Sequence, residues 1–184
     1  MRYTLRALAV VVALLLLGVS VAPAQQHAQT RKGFWIGFGA GYGSYGVSCS
    51  GCSGLGRQGS FSGYLKMGGT LSPHLLLGGE TNGWTKSENG ASLTAGNASL
   101  SAYYYPKPAS GLFLSGGLGV STVSASTGGA SNSETGAGLK LGAGYDLRVG
   151  GNTSITPVFN WVWGKPQSDY KHNFFQFAVG VTFH

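Results

Sequence analysis

Charge is what this chain of 184 residues lacks most. Only 9% of its residues are charged, 12 Lys and Arg against 5 Asp and Glu. A soluble domain carries roughly 25% charged residues, so an ordinary water-covered surface cannot be built from this composition. Proline is scarce too, with 6 residues, and the 33 glycines follow no three-residue period, which excludes a collagen-like chain. Disorder is excluded because 42% of residues are hydrophobic and 12% aromatic. Two cysteines are too few for a disulfide scaffold. No apolar run is long enough to cross a membrane as a helix.

The first 24 residues have the form of a secretory signal. Arg2 and Arg6 precede an apolar run from Leu8 to Val21, and Ala22-Pro23-Ala24 matches a small-x-small cleavage site. The run is too short for a spanning anchor, and no cysteine follows it for lipid attachment. The expected organisation is a signal peptide over 1–24, a short periplasmic leader over 25–32 and one domain over 33–184. Removing Arg2 and Arg6 leaves 10 basic and 5 acidic residues, a net charge of +5 with no clustered basic run. Nucleic-acid binding, which needs such a face, is not expected.

The mature chain is patterned with period two, the mark of strands with one apolar face. In the first segment Phe34, Ile36, Phe38, Ala40 and Tyr42 alternate with Trp35, Gly37, Gly39, Gly41 and Gly43. Seven further segments alternate in the same way. They are centred on Tyr64, Glu80, Leu100, Leu118, Leu141, Phe159 and Val179, giving eight strands. The less apolar face carries Gly, Ser, Thr and Asn, with only Lys66, Glu80, Lys140 and Asp146 charged. A soluble barrel of lipocalin type, the main alternative, would present Lys, Glu and Arg there. Small polar residues suit the inside of a narrow closed barrel, and large apolar ones suit lipid. The expected fold is therefore all-β, an eight-stranded antiparallel transmembrane barrel.

Connections alternate in length. Leu71–His74, Pro106–Gly111 and Arg148–Asn152 read as tight periplasmic turns. Val47–Gln58, Lys86–Ser92, Val123–Glu134 and Gly164–His172 read as long outer loops. Aromatic girdles are expected from Phe34, Trp35, Tyr104, Tyr105 and Phe183 at the inner rim, and from Tyr42, Tyr45, Trp161 and Trp163 at the outer one. Pro157 predicts a bulge.

Taken in order, GFWIGFGAGYG (33–43), YYYP (103–106) leading into GLFLSGGLGVS (111–121), and LGAGYDL (141–147) give the chain a resemblance to a known group. It resembles the small eight-stranded outer-membrane β-barrels, which include the OmpA membrane domain and OmpX. The closing FQFAVGVTF, with Phe177, Val179, Val181 and Phe183, is similar to that family's C-terminal assembly signal, although His184 follows the last aromatic. The resemblance implies outer-membrane location, outer-membrane lipid and the barrel-assembly machinery as partners, and a monomer with an extracellular ligand at its loops.

Little in the sequence suggests chemistry. Cys49 and Cys52 lie in the first outer loop, where an oxidising compartment favours a local disulfide. A redox role would need a helix N-terminus beside one thiol, and a metal site would need further ligands. No cofactor or metal is expected. Gly41-Tyr42-Gly43-Ser44-Tyr45-Gly46 fits GxGxxG by letter but lacks the following helix of a nucleotide site. His172, beside Asp169, could join a lipid-hydrolysing site, yet no serine-histidine motif accompanies it. Lys66 and Glu80 fall diagonally on one hairpin face and form a candidate ion pair. Lys140 could reach it across the lumen, and Asp146 lies nearer the periplasmic mouth. The expectation is a charge-balanced plug in a non-enzymatic barrel with a structural or surface-contact role. The alternatives are a gate in a small porin and, more remotely, a lipid-modifying enzyme.

Overall fold

A computed structural model of the chain describes residues 31–49, 56–166 and 170–184. The proposed signal peptide, most of the leader and Cys52 lie outside the described residues. Alternation resolves into β1 (Phe34–Cys49), β2 (Gln58–Ser72), β3 (Leu75–Glu88), β4 (Ala91–Tyr104), β5 (Leu112–Thr127), β6 (Ala130–Tyr145), β7 (Leu147–Arg148), β8 (Thr153–Pro166) and β9 (Tyr170–Phe183). β7 is a two-residue continuation of β6 beyond Asp146, so eight long strands remain. Each pairs antiparallel with its neighbours, β1 pairs with β9, and β6 pairs with β8, closing the sheet. Closure leaves no unpaired edge, which is the condition for strands to cross lipid.

The parity of the faces follows the sequence. Leu100 and Leu118, paired across β4 and β5, are 72% and 71% exposed on the outer surface. Phe34, Tyr104 and Phe183 face outward at one end, with Tyr42 toward the other. Trp35, Tyr45 and Tyr105, expected in the girdles, are instead buried in the lumen. Their parity decides this: each sits one residue out of step with the lipid-facing set, whatever its height along the barrel.

Two of the four outer connections also differ from expectation. β3 and β4 stay paired to Glu88↔Ala91, and β5 and β6 to Thr127↔Ala130. Two-residue turns close them, Asn89-Gly90 and Gly128-Gly129, all four with positive φ. That is the geometry of the hairpin turns whose twist matches paired strands. Hydroxyl pairs Thr85–Thr94, Ser87–Ser92 and Thr122–Thr135, at 3.0 to 3.1 Å, continue the ladders. The ends beyond the apolar belt are therefore stiff hairpins. Pro157 makes no bulge, because the register of β8 with β9 runs through it unbroken and the ladder with β6 stops at Val158. An irregularity occurs between Thr70 and Ser72 instead.

Glycine on the inner face lets adjacent strands curve tightly. A Cβ on Gly41 would stand 2.0 Å from the Phe177 carbonyl oxygen, and a Cβ on Gly83, on the lipid side, would touch nothing within 4 Å. Gly41→Ala is accordingly expected to cost about 1–3 kcal/mol, with Gly83→Ala near neutral. Urea unfolding of both variants in phospholipid vesicles checks the contrast.

Candidate functional site: the filled lumen

Side chains pointing inward from all eight long strands build the lumen in layers. At the end holding both described chain ends, Trp35, Leu76, Tyr103, Tyr105, Phe113 and Val158 form an apolar cluster, joined by Tyr64 and Ala178. The charged residues lie among them. Lys140 Nζ is 2.5 Å from Glu80 Oε2 and donates to Ser115 Oγ at 2.9 Å. Tyr103 donates its hydroxyl to the same carboxylate, and Asn82 Nδ2 donates to Oε1 at 3.1 Å. Lys66 stands directly opposite Glu80 in the β2–β3 register, yet the two make no ion pair. The Lys66 ammonium lies instead over aromatic rings, 4.7 Å from the Phe113 centroid and 5.2 Å from that of Tyr103. The expected Lys66–Glu80 pair is thus replaced by a pair across the lumen, Lys140–Glu80.

Above this layer runs a neutral relay that sequence reading missed. Asn160 Nδ2 donates to Asn82 Oδ1 at 3.2 Å and to Gln176 Oε1 at 2.9 Å. Gln176 Nε2 donates to Ser62 Oγ at 2.7 Å and to the Gly63 carbonyl at 2.9 Å. All four side chains had the right inward parity, which was the only available signal. The relay satisfies buried amides across four strands.

A second apolar cluster of Tyr45, Trp84, Ala95, Val123, Val162 and Phe174 fills the outer half. Tyr45 stacks on Trp84 with centroids 4.8 Å apart, and Trp84 Nε1 donates to the Gly43 carbonyl. The fold brings Ser121 to His172, with Oγ 2.9 Å from Nε2. Both are fully buried, and His172 Nδ1 has no hydrogen-bond partner among the described residues. Nucleophilic catalysis needs an oriented base, and among the described residues no acid hydrogen-bonds the ring from behind. Asp169, its sequence neighbour, lies outside the described residues.

A family model described as outer membrane protein beta-barrel domain matches residues 11–183. The chain belongs to that family. As an outer-membrane barrel it is placed in the cell outer membrane, and its lipid-facing belt and closed sheet agree with that placement. Its fold is similar to Neisserial surface protein A, with TM-score 0.63 and 19% identity over 84% of this chain and 98% of that one. It is also similar to Ail, the attachment invasion locus protein of Yersinia pestis (TM-score 0.56, 16% identity, 84% and 100% covered). The N-terminal barrel of Pseudomonas aeruginosa OprF follows at TM-score 0.51 and 13% identity, again covering 84% and 100%. No curated protein sequence matches significantly.

At the mouth of the barrel nearest His184, Asp146 is the centre of a polar cluster. It accepts hydrogen bonds from Tyr105 Oη and Thr156 Oγ1, both at 2.8 Å. His184 Nε2 lies 3.2 Å away and the Arg31 guanidinium 3.8 Å. Arg31 also donates to the carbonyls of Pro108 and Ser110 and lies 3.6 Å over the Tyr105 ring. His184, the residue that follows the last aromatic, is thus tied to Asp146 and, through its backbone N–H, to the Asn152 carbonyl. Cys49 ends β1 and is disulfide-bonded; the expected partner Cys52 is outside the described residues. Phe177, Val179, Val181 and Phe183 share the outward face of β9. Among the described residues no three His, Cys, Asp or Glu side chains group as metal ligands.

Proposed function

We propose that this outer-membrane barrel is a non-enzymatic, non-conducting protein that acts by surface contact through its stiff extracellular hairpins. The observation that carries the reading is the lumen, filled by two aromatic clusters with a saturated amide relay between them. Eight strands leave an interior just wide enough for side chains. By the rule that short turns face the periplasm, the hairpin ends at Asn89-Gly90 and Gly128-Gly129 project from the cell. Arg57, Lys165 and Lys171 are exposed at the same end and suit an anionic partner. Ail, solved in a complex with the heparin analogue sucrose octasulfate, is a related barrel with such a partner. The outward row Phe177, Val179, Val181 and Phe183 serves the barrel-assembly machinery, and the closed sheet suits a monomer in outer-membrane lipid.

In planar bilayers the folded protein is expected to give no steady single-channel steps; sustained openings would favour the porin reading. Cells displaying it are expected to bind immobilised heparin several-fold better than cells displaying the Arg57→Gln, Lys165→Gln, Lys171→Gln triple variant. Equal binding sinks the anionic-contact reading.

A further inference from the structure

Lys66 is 3% exposed, and among the described residues no carboxylate lies within ion-pair distance and no acceptor hydrogen-bonds its ammonium. Four rings enclose it: Phe113, Tyr103, Tyr64 and Trp35, with centroids at 4.7, 5.2, 5.8 and 6.0 Å. Ring faces attract a cation but leave its three N–H groups without full acceptors. Two of those rings bring orphaned donors of their own. Trp35 Nε1 and the Tyr64 hydroxyl, on side chains 1% and 6% exposed, have no hydrogen-bond partner among the described residues. An indole N–H can only donate, and a buried donor left unmade is costly.

The three side chains are neighbours by construction. Tyr64 and Lys66 are two apart on the inward face of β2, and Trp35 projects from the facing stretch of β1, where Gly37 opposes Lys66 and Gly39 opposes Tyr64. Each lies over a glycine. A Cβ would stand 2.8 Å from Lys66 Cε at Gly37, 2.4 Å from the Tyr64 hydroxyl at Gly180, and 2.8 Å from Trp35 Cζ2 at Gly78. Nearby acceptors are already engaged: Glu80 by Lys140, Tyr103 and Asn82, and Asp146 by Tyr105, Thr156 and His184. Water could accept from this trio, but its own two hydrogens would then need acceptors. A small anion needs none and also neutralises the ammonium.

We infer that the periplasmic half of the lumen holds a small inorganic anion of the halide class, bound by the Lys66 ammonium, the Tyr64 hydroxyl and the Trp35 indole N–H. The site is internal and does not depend on the surface role. It makes the anion a structural ligand that enters as the barrel closes.

Bromide is the probe. The mature chain is refolded in sodium bromide and crystallised, and anomalous differences are collected at the bromine edge. A peak among Lys66 Nζ, Tyr64 Oη and Trp35 Nε1 is expected; ordered water there without anomalous signal overturns the inference. In solution, bromide is expected to raise unfolding resistance over gluconate at equal ionic strength, an effect absent in Lys66→Met. Tyr64→Phe, which keeps the ring, is expected to weaken bromide affinity about 10-fold. This variant decides the matter if Lys66→Met does not fold. An identical bromide response in Tyr64→Phe and wild type counts against the site.

Discussion

Glu80→Ala is expected to lower the unfolding free energy by about 3–5 kcal/mol, the cost of leaving a buried charge without its partner. Lys140 is 1% exposed and takes its counter-charge from Glu80 Oε2 at 2.5 Å. Without that carboxylate it keeps, among the described residues, one hydrogen bond to the Ser115 hydroxyl and the face of the Tyr103 ring. The Tyr103 hydroxyl and the Asn82 amide lose an acceptor at the same time. The pair itself is a different quantity. Two buried charges surrender their hydration, and their mutual attraction restores only part of it, so well-packed apolar replacements are often neutral or better. The Glu80→Leu, Lys140→Met double variant is therefore expected to fall within about 1–2 kcal/mol of wild type, with strong coupling in the double-mutant cycle. Urea titration in phospholipid vesicles reads all four proteins. A double variant as damaged as Glu80→Ala would mean that Glu80 acts through its neighbours on β3 and β4 rather than through Lys140.

Why Lys140 and not Lys66 holds this carboxylate marks the limit of sequence reading. Period-two alternation assigns each residue to a face, and the inward parity of Lys66, Glu80 and Lys140 was legible from it. Register within a hairpin is less legible: spacing about Ser72 makes Lys66 and Glu80 diagonal, whereas the irregularity between Thr70 and Ser72 leaves them directly opposite. Contacts across the lumen depend on barrel diameter, strand tilt and stagger, none of which is written in local spacing. β6 is three strands from β3 in sheet order, and it is stagger that brings Lys140 level with Glu80. The Asn82–Asn160–Gln176–Ser62 relay and the Ser121–His172 contact escaped for the same reason. Trp35, Tyr45 and Tyr105 are another kind of case. Height along the barrel groups them with interface aromatics, whereas parity places them inside. The outer hairpins were hidden by composition. Ser, Thr, Asn and Gly suggest loops, yet Asn89-Gly90 and Gly128-Gly129 are two-residue turn signals that end paired strands.

The sharpest discrimination between lipid and water as the solvent of this barrel comes from one outward leucine. Leu118 is 71% exposed at the middle of β5, in a row with Leu100 on β4 and Leu139 on β6. On a water-soluble barrel, arginine at so open a position would be harmless and would help solubility. At the midplane of a bilayer it costs about 2–4 kcal/mol, and close to an interface about 0–1. Leu118→Arg is thus expected to lose about 2–4 kcal/mol in vesicles, whereas Leu147→Arg, on β7 at the periplasmic rim, is expected to lose at most about 1. Guanidinium titration of refolded vesicle samples measures both. The depth dependence is the decisive part, since a packing defect would not know where the bilayer centre lies. Equal small losses would remove the membrane from the explanation. The scarcity of charge would then have to be explained by something other than lipid covering these strands.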